Sequence, residues 1–283
     1  MISKIIKILC SVIPMKKWRR SCRKKLLNMI LDLTGHIEYL NDSLINEFTS
    51  ANMLIKPKDS ILIIAPHPDD DCIGCGGIIA KYAKQCDVMC INSSGFLRPY
   101  DTQSYEEIAD MRIEEYNNVM DFLGVRKRWI WKIFGPTPHF DKIIANKNNY
   151  LKAVNFKEYN YIFVPDRLDG HREHQFLTKF FIPQLLRENG YNKKTNICYY
   201  NVWGTITNPN YFEDISSVAK IKQKALLLYK SRMQVEDNYA KRIAGLNYFY
   251  GLFINSKYAE AFRIETIHSY LKHKDDRCWA KPK

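Results

Sequence analysis

Residues 61–77, ILIIAPHPDDDCIGCGG, decide how the rest of the chain is read. The run Ile61 to Ala65 is short and uniformly apolar, which suits a strand covered on both faces better than one with a wet side. The polar turn PHPDDDCIG follows, then a helix over about 76–84, then a second apolar run, DVMCIN (87–92). Strand, turn, helix and strand make one βαβ unit, the building block of parallel sheets.

The alternation continues outward. A polar loop with Gly95, Arg98 and Pro99 leads to a long helix over about 103–123, where Ile108, Met111, Tyr116, Val119 and Phe122 recur at helical spacing. Gly124 stands where a C-cap belongs. WIWKIF (129–134), YIFVP (161–165) and ICYYNVW (197–203) are the third, fourth and fifth strands, and helices follow around 216–232 and 236–250. Region 135–158 is polar and reads as loop plus a short helix. The pattern predicts an α/β fold with a mainly parallel sheet, whose ligands bind beyond the carboxyl ends of the strands. The aromatic stretch LNYFYGLF (246–253) is expected in the core, and the basic tail from His268 is expected to fray.

At 283 residues, 46% of them hydrophobic, the chain can bury a full core. Its formal charge of +13 raises the question of nucleic acid, but residues 1–35 hold nine Lys or Arg against one acid, Asp32. The remainder is close to balance and lacks a basic stripe for phosphates, so no nucleic-acid partner is expected. The apolar run Ile5–Pro14 is about half the roughly 20 residues that cross a bilayer. Its basic cluster follows the run, unlike a signal peptide. With Trp18 and LLNMILDL, residues 1–45 read as a basic amphipathic helical extension. Residues 1–35 are expected on an anionic membrane surface, at the inner face of the membrane of a cytoplasmic protein. The eight cysteines form no apparent disulfide framework, and Cys72 and Cys75 read as packing residues in a Gly-rich turn. His139, His268 and His273 stand alone and read as surface histidines, because metal ligands come in clusters.

Two segments carry chemistry, each directly behind a predicted buried strand. The first places His67, Asp69, Asp70 and Asp71 within five residues. Adjacent carboxylates raise one another's pKa unless a cation neutralises them, which a metal would do. The second, DGHREH (169–174), sets His171 and His174 three apart, a spacing that puts both on one side of a turn or first helical turn. A catalytic zinc takes three N/O ligands and keeps a position open for water. His67, one aspartate and one of the two later histidines would supply them. Asp69 and Asp70 then divide the tasks of ligand and proton acceptor, and the second histidine stabilises the oxyanion or protonates the leaving amine. The histidine content favours zinc over magnesium.

IIAPHPDDDCIGCGG resembles the opening of the PIG-L/LmbE-like zinc-dependent N-acetylglucosaminyl deacetylases, and DGHREH resembles that family's second metal segment. The likeness covers about residues 58–265, with ADMRIEEYNNVMDFLGV, ALLLYKSRMQ and YAEAF (258–262) in the same order. It implies a Rossmann-like three-layer sandwich over 46–283. It further implies Zn2+ on His67, Asp70 and His174, Asp69 as general base, His171 as the electrophilic or acid partner at the carbonyl, and Arg112 in sugar binding. The implied reaction removes an N-acyl group, acetyl, from a free, nucleotide-linked or lipid-linked amino sugar in polysaccharide or glycoconjugate biosynthesis. Asp71 stands where the family has Glu, Arg172 and Glu173 stand where it has Pro and Asp, and the basic extension is additional. Two other classes compete: a non-catalytic sugar- or nucleotide-binding module on the same fold, and a metal-dependent phosphoesterase, which would commonly hold two metals per chain.

Overall fold

A computed structural model describes residues 55–94, 102–233 and 239–273. The basic extension, its membrane contact and the loop with Gly95, Arg98 and Pro99 lie outside the described residues. Among the described residues seven strands form one sheet: β1 (Ile61–Ala65), β2 (Cys86–Cys90), β3 (Lys127–Ile130), β4 (Tyr161–Pro165), β5 (Asn196–Tyr200), β6 (Tyr211–Asp214) and β7 (Ala259–Thr266). Their order is β3-β2-β1-β4-β5-β7-β6. The first five are parallel, and β7 runs antiparallel to both β5 and β6. The chain leaves β1 towards β2 and β3, then returns to place β4 on the other side of β1. That reversal opens a crevice beyond the carboxyl ends of β1 and β4, where ligands of such sheets bind.

All five residues of β1 are buried, and they alternate between two cores. Ile61 and Ile63 pack with Tyr116, Val119 and Leu226, whereas Leu62 and Ile64 pack with Tyr150, Phe181 and Leu186. Because successive strand residues face opposite sides, helices cover both faces and the protein is a three-layer α/β sandwich. On one face lie α1 (Asp70–Tyr82), α2 (Tyr105–Leu123), α7 (Ala219–Leu228), the short α8 (Lys230–Met233) and α9 (Tyr239–Gly251). On the other lie α3 (Phe140–Ala145), α4 (Lys147–Ala153), α5 (Arg172–Phe176), α6 (Ile182–Asn189) and α10 (Ile267–Lys272).

Helix α2 follows its sequence signals closely. Ser104 and Glu107 form a capping box, and Gly124 ends the helix at φ 71°. Helix α1 departs from them, beginning at Asp70 rather than 76, so the stretch read as a Gly-rich turn is helical. Glycines weaken an isolated helix, but a Cβ on Gly74 would stand 2.1 Å from the Tyr200 ring. Tertiary packing overrides propensity here. Cys72 and Cys75 are buried and unbridged in the same helix, in the packing role expected of them.

Strands β6 and β7 were not anticipated, and β2, β3 and β5 each end two to four residues before the predicted limit. Region 135–158 holds two short helices and a 3-10 turn in place of one. Two further expectations are corrected. The 246–253 stretch is only partly core, since Tyr248 and Phe249 are exposed while Asn247 and Tyr250 are buried. The segment after Thr266 folds as α10, anchored by the Tyr270 hydroxyl donating to the Thr178 carbonyl at 2.6 Å.

Glu260 on β7 ties this architecture together. Its carboxylate accepts from the Gly77 and Ile78 amides of α1, at 2.7 and 2.9 Å, and from Lys222 of α7 at 2.7 Å. Both charges are almost wholly buried. Glu260→Ala would leave the Lys222 ammonium without its counter-ion. It should lower the unfolding free energy by about 3–5 kcal/mol, read by chemical denaturation. A loss below about 1 kcal/mol would mean that water reaches the pair.

Candidate metal centre

The turn after β1 is wound tightly by its own polar groups. The His67 amide donates to Asp70 Oδ2 at 3.0 Å, and the Asp70 amide donates back to the His67 carbonyl at 3.3 Å. This forces Asp69 to φ 104°, a backbone conformation that costs a non-glycine residue about 1–3 kcal/mol. The segment after β4 is organised by Asp169, which accepts from the His171 amide at 2.8 Å and the Trp203 amide at 3.0 Å. Gly170 permits that approach, because a Cβ there would meet the Trp203 carbonyl oxygen at 2.8 Å. His171 caps α5, and one turn of that helix delivers His174 to the same crevice.

The two segments converge. Asp70 Oδ2 lies 3.1 Å from His67 Nδ1 and 3.1 Å from His174 Nε2, and the two nitrogens are 3.2 Å apart. Three donors each about 2.0–2.1 Å from one tetrahedral ion would be separated by about 3.3 Å, so the spacing fits a shared cation. His171 stands beside them, with its ring centroid 5.0 Å from that of His67 and 4.7 Å from that of His174. The three imidazoles can each offer a nitrogen within 4.8 Å of the others. A site with histidine donors is therefore possible, with Asp70 Oδ2 3.1 Å from a nitrogen of both His67 and His174.

The electrostatics also fit a cation. Asp69, Asp70, Asp169 and Glu173 are all nearly inaccessible and surround two buried imidazoles, His67 and His174. Burial would lower the His174 pKa, but Asp70 and Asp169 overrule it and hold the group up at about 10. His67 is raised, against its burial, by Asp70 and Glu173. Asp70 is held well below the usual carboxylate range by His174 and His67, again against burial. Such a cluster binds positive charge, and a divalent ion can take the place of protons on these nitrogens. Asp69 behaves differently, its carboxyl pushed up to about 6 by burial and by the neighbouring Asp70 charge. His171 is pushed down to about 4 by burial and by the charges of His67 and His174.

Several residues around the site had no role assigned from the sequence. Glu173 is fully buried, accepts from His67 Nε2 at 2.6 Å and lies 3.0 Å from His139 Nδ1. It turns the His67 ring so that Nδ1 faces Asp70 and His174. His139 is thus buried, which corrects its reading as a surface histidine; the fold brings it to Glu173 from 34 residues away. Arg232 Nε lies 3.3 Å from Asp69 Oδ2 and its guanidinium stacks 4.9 Å from the Trp203 ring centre. Its only sequence signal was its place in ALLLYKSRMQ. Asp71 accepts from the Tyr229 hydroxyl at 3.0 Å, so the shorter acid still anchors the turn. Arg112 donates to the carbonyls of Ser94 and Pro68 at 2.9 and 2.7 Å and sits 3.5 Å from Asp69 Oδ1. It clamps the turn while also facing a cavity of about 200 Å³ lined by His67, Asp69, Asp70, His171, Trp203 and Arg232, among others.

A mainly parallel sheet with a histidine and carboxylate cluster at its crossover point defines an α/β protein in which those side chains could hold a metal beside an open cavity. The PIG-L family model, described as GlcNAc-PI de-N-acetylase, matches residues 62–184, which include both site segments. A diacetylchitobiose deacetylase of Thermococcus kodakarensis is 26% identical over 230 residues, spanning 72% of this chain and 82% of that protein. The structure of an N,N'-diacetylchitobiose deacetylase from Pyrococcus horikoshii, in complex with an inhibitor, superposes with a TM-score of 0.61 at 25% identity. It covers 81% of this chain and 92% of that one. A 4-carboxy-2-hydroxymuconate hydratase from Pseudomonas putida KT2440 shares the fold with a TM-score of 0.54 at 17% identity, over 73% of this chain and 95% of that one. The fold alone therefore does not choose the reaction, and the site must.

Proposed function

We propose that this protein is a zinc-dependent N-deacetylase that hydrolyses the acetamide of an N-acetylated amino sugar, with His67, Asp70 and His174 as the metal ligands. The observation that carries the reading is the convergence of His67 Nδ1, Asp70 Oδ2 and His174 Nε2 on one point beside a cavity that His67 and Asp70 line. The similarity to deacetylases that act on diacetylchitobiose supports the substrate class. A zinc ion held there would supply Lewis acidity, polarising the amide carbonyl and acidifying water.

The chain's own residues supply the remainder. Asp69, beside the ligand cluster and with its raised pKa, accepts the proton of the attacking water at Oδ2, which has an ion-pair contact with Arg232 but no hydrogen-bond donor among the described residues. His171 Nδ1 accepts from the Glu173 amide at 3.3 Å, so the neutral ring carries its proton on Nε2. That N–H stabilises the negative oxygen of the tetrahedral intermediate, and the proton taken by Asp69 passes to the departing amine. Arg112 holds the turn that carries Asp69, and Trp203 offers a half-exposed ring against which a sugar can pack. Contact of residues 1–35 with an anionic membrane, and a role in polysaccharide or glycoconjugate assembly, remain part of this reading and rest on the sequence.

The test is acetate release from N-acetylglucosamine, its disaccharide and nucleotide- or lipid-linked carriers, followed as metal is removed and restored. Chelation should abolish acetate release and zinc should restore it at one ion per chain. Activity that survives complete chelation contradicts the reading, and two ions per chain with phosphate release favour a phosphoesterase. Glu173→Gln should weaken zinc affinity by about 10–100-fold, because the His67 ring loses the charged partner that orients it. Titration with a competing chelator measures this, and an unchanged affinity would show that the turn alone orients His67.

A further inference from the structure

The layer formed by α7 and α9 has a surface chemistry unlike the rest of the described protein. Of nine large hydrophobic side chains exposed among the described residues, five fall here: Ile221, Leu227, Tyr248, Phe249 and Leu252. At about 100° per residue, Lys241, Tyr248, Phe249 and Leu252 share one outer face of α9 and its 3-10 extension, while Ala240, Asn247, Tyr250 and Gly251 face inward. Leu252 is 76% exposed and Tyr248 62%, too wet for core residues. Helix α7 repeats the pattern, with Lys220, Ile221, Lys224 and Leu227 on its outer face. The two helices lie side by side, sharing a small pocket between Leu226 and Ile243.

Among the described residues of this layer the charge has one sign. Residues 215–233 and 239–258 contain no Asp or Glu, whereas Lys220, Lys224, Lys230, Lys241 and Lys257 are all exposed. A surface that couples exposed aromatic and aliphatic groups to exposed lysines complements an anionic lipid leaflet: the apolar groups enter the headgroup boundary and the ammonium groups meet lipid phosphates. We infer that the outer face of α7 and α9 docks the protein on an anionic membrane surface, independently of residues 1–35. The inference adds to the deacetylase reading a place where the enzyme works. Helix α7 leads through Tyr229 into α8, whose Arg232 lines the catalytic cavity, so the docking face adjoins one cavity wall.

The experiment is co-sedimentation of the full chain, and of the full chain with the nine Lys and Arg of residues 1–35 changed to Gln so that they add no attraction, with vesicles of phosphatidylcholine alone or with equal parts phosphatidylglycerol, at low and high salt. The comparison variant is Tyr248→Ser/Phe249→Ser/Leu252→Ser, whose replaced side chains are exposed. The wild type should bind the anionic vesicles preferentially, with binding falling as salt rises. With residues 1–35 neutralised, the variant should bind them at least about tenfold more weakly than its parent. Its hydrolysis of a soluble N-acetylated sugar should be unchanged, so a failure of docking is distinguishable from a failure of the enzymatic reading. Binding that ignores lipid charge, equal binding with and without the triple substitution once residues 1–35 are neutralised, or a wild-type dimer that the variant dissociates would each overturn the inference.

Discussion

Asp69→Asn should lower kcat about 10³-fold while leaving one zinc ion per chain in place. The substitution keeps the size of the side chain and removes only its capacity to take a proton. The carboxylate is suited to that task by its surroundings. Burial and the Asp70 charge raise its pKa to about 6, while Arg112 and Arg232 flank it at 3.5 and 3.3 Å and keep it oriented. The φ of 104° at this residue is also a cost that a merely structural turn would shed by carrying glycine. Metal analysis and steady-state kinetics on the same preparation decide the matter. If zinc is retained and kcat falls less than about fivefold, the base is another group; if zinc is lost, Asp69 belongs to the ligand set.

His174→Ala should have a larger effect, because it removes a ligand and uncovers two carboxylates together. Asp70 Oδ2 and Asp169 Oδ1 both lie 3.1 Å from the His174 ring, which is wholly buried. Loss of the ring leaves a two-donor site that should not retain zinc through gel filtration, and activity should fall at least about 10⁴-fold. The apoprotein should also lose about 3–5 kcal/mol of stability, since the buried acids no longer have their cationic partner. Metal content and denaturation together separate these effects. A variant that still binds one zinc tightly would move His171 from the role of electrophile to that of ligand, which the 4.8 Å imidazole cluster also accommodates.

Much of the architecture was legible because burial on both faces leaves a plain mark. ILIIA and YIFVP are uninterrupted apolar runs, and their structural limits coincide with the sequence. Helix α2 was equally readable, since its cap, apolar spacing and terminal glycine are local signals. Strand β6, whose YFED alternates weakly, and β7, whose AEAFRIET carries a buried glutamate, had no such mark. Glu260 lies in the core only because Lys222 and two amides of α1 meet it there.

The same division runs through the site. Residue types and spacing alone nominated His67, Asp69, Asp70, His171 and His174, because crowded carboxylates and paired imidazoles behind buried strands are costly without a cation. Glu173, His139, Arg232 and Trp203 could be recognised only in three dimensions. Each acts by touching something remote in the chain: Glu173 meets His67 across 106 residues, and Arg232 meets Asp69 across more than 160. Local sequence determines backbone conformation and donor chemistry, since these depend on neighbours within a few residues. Which carboxylate orients which imidazole, and which cation flanks the base, is decided by how strands separated by a hundred residues come to lie side by side.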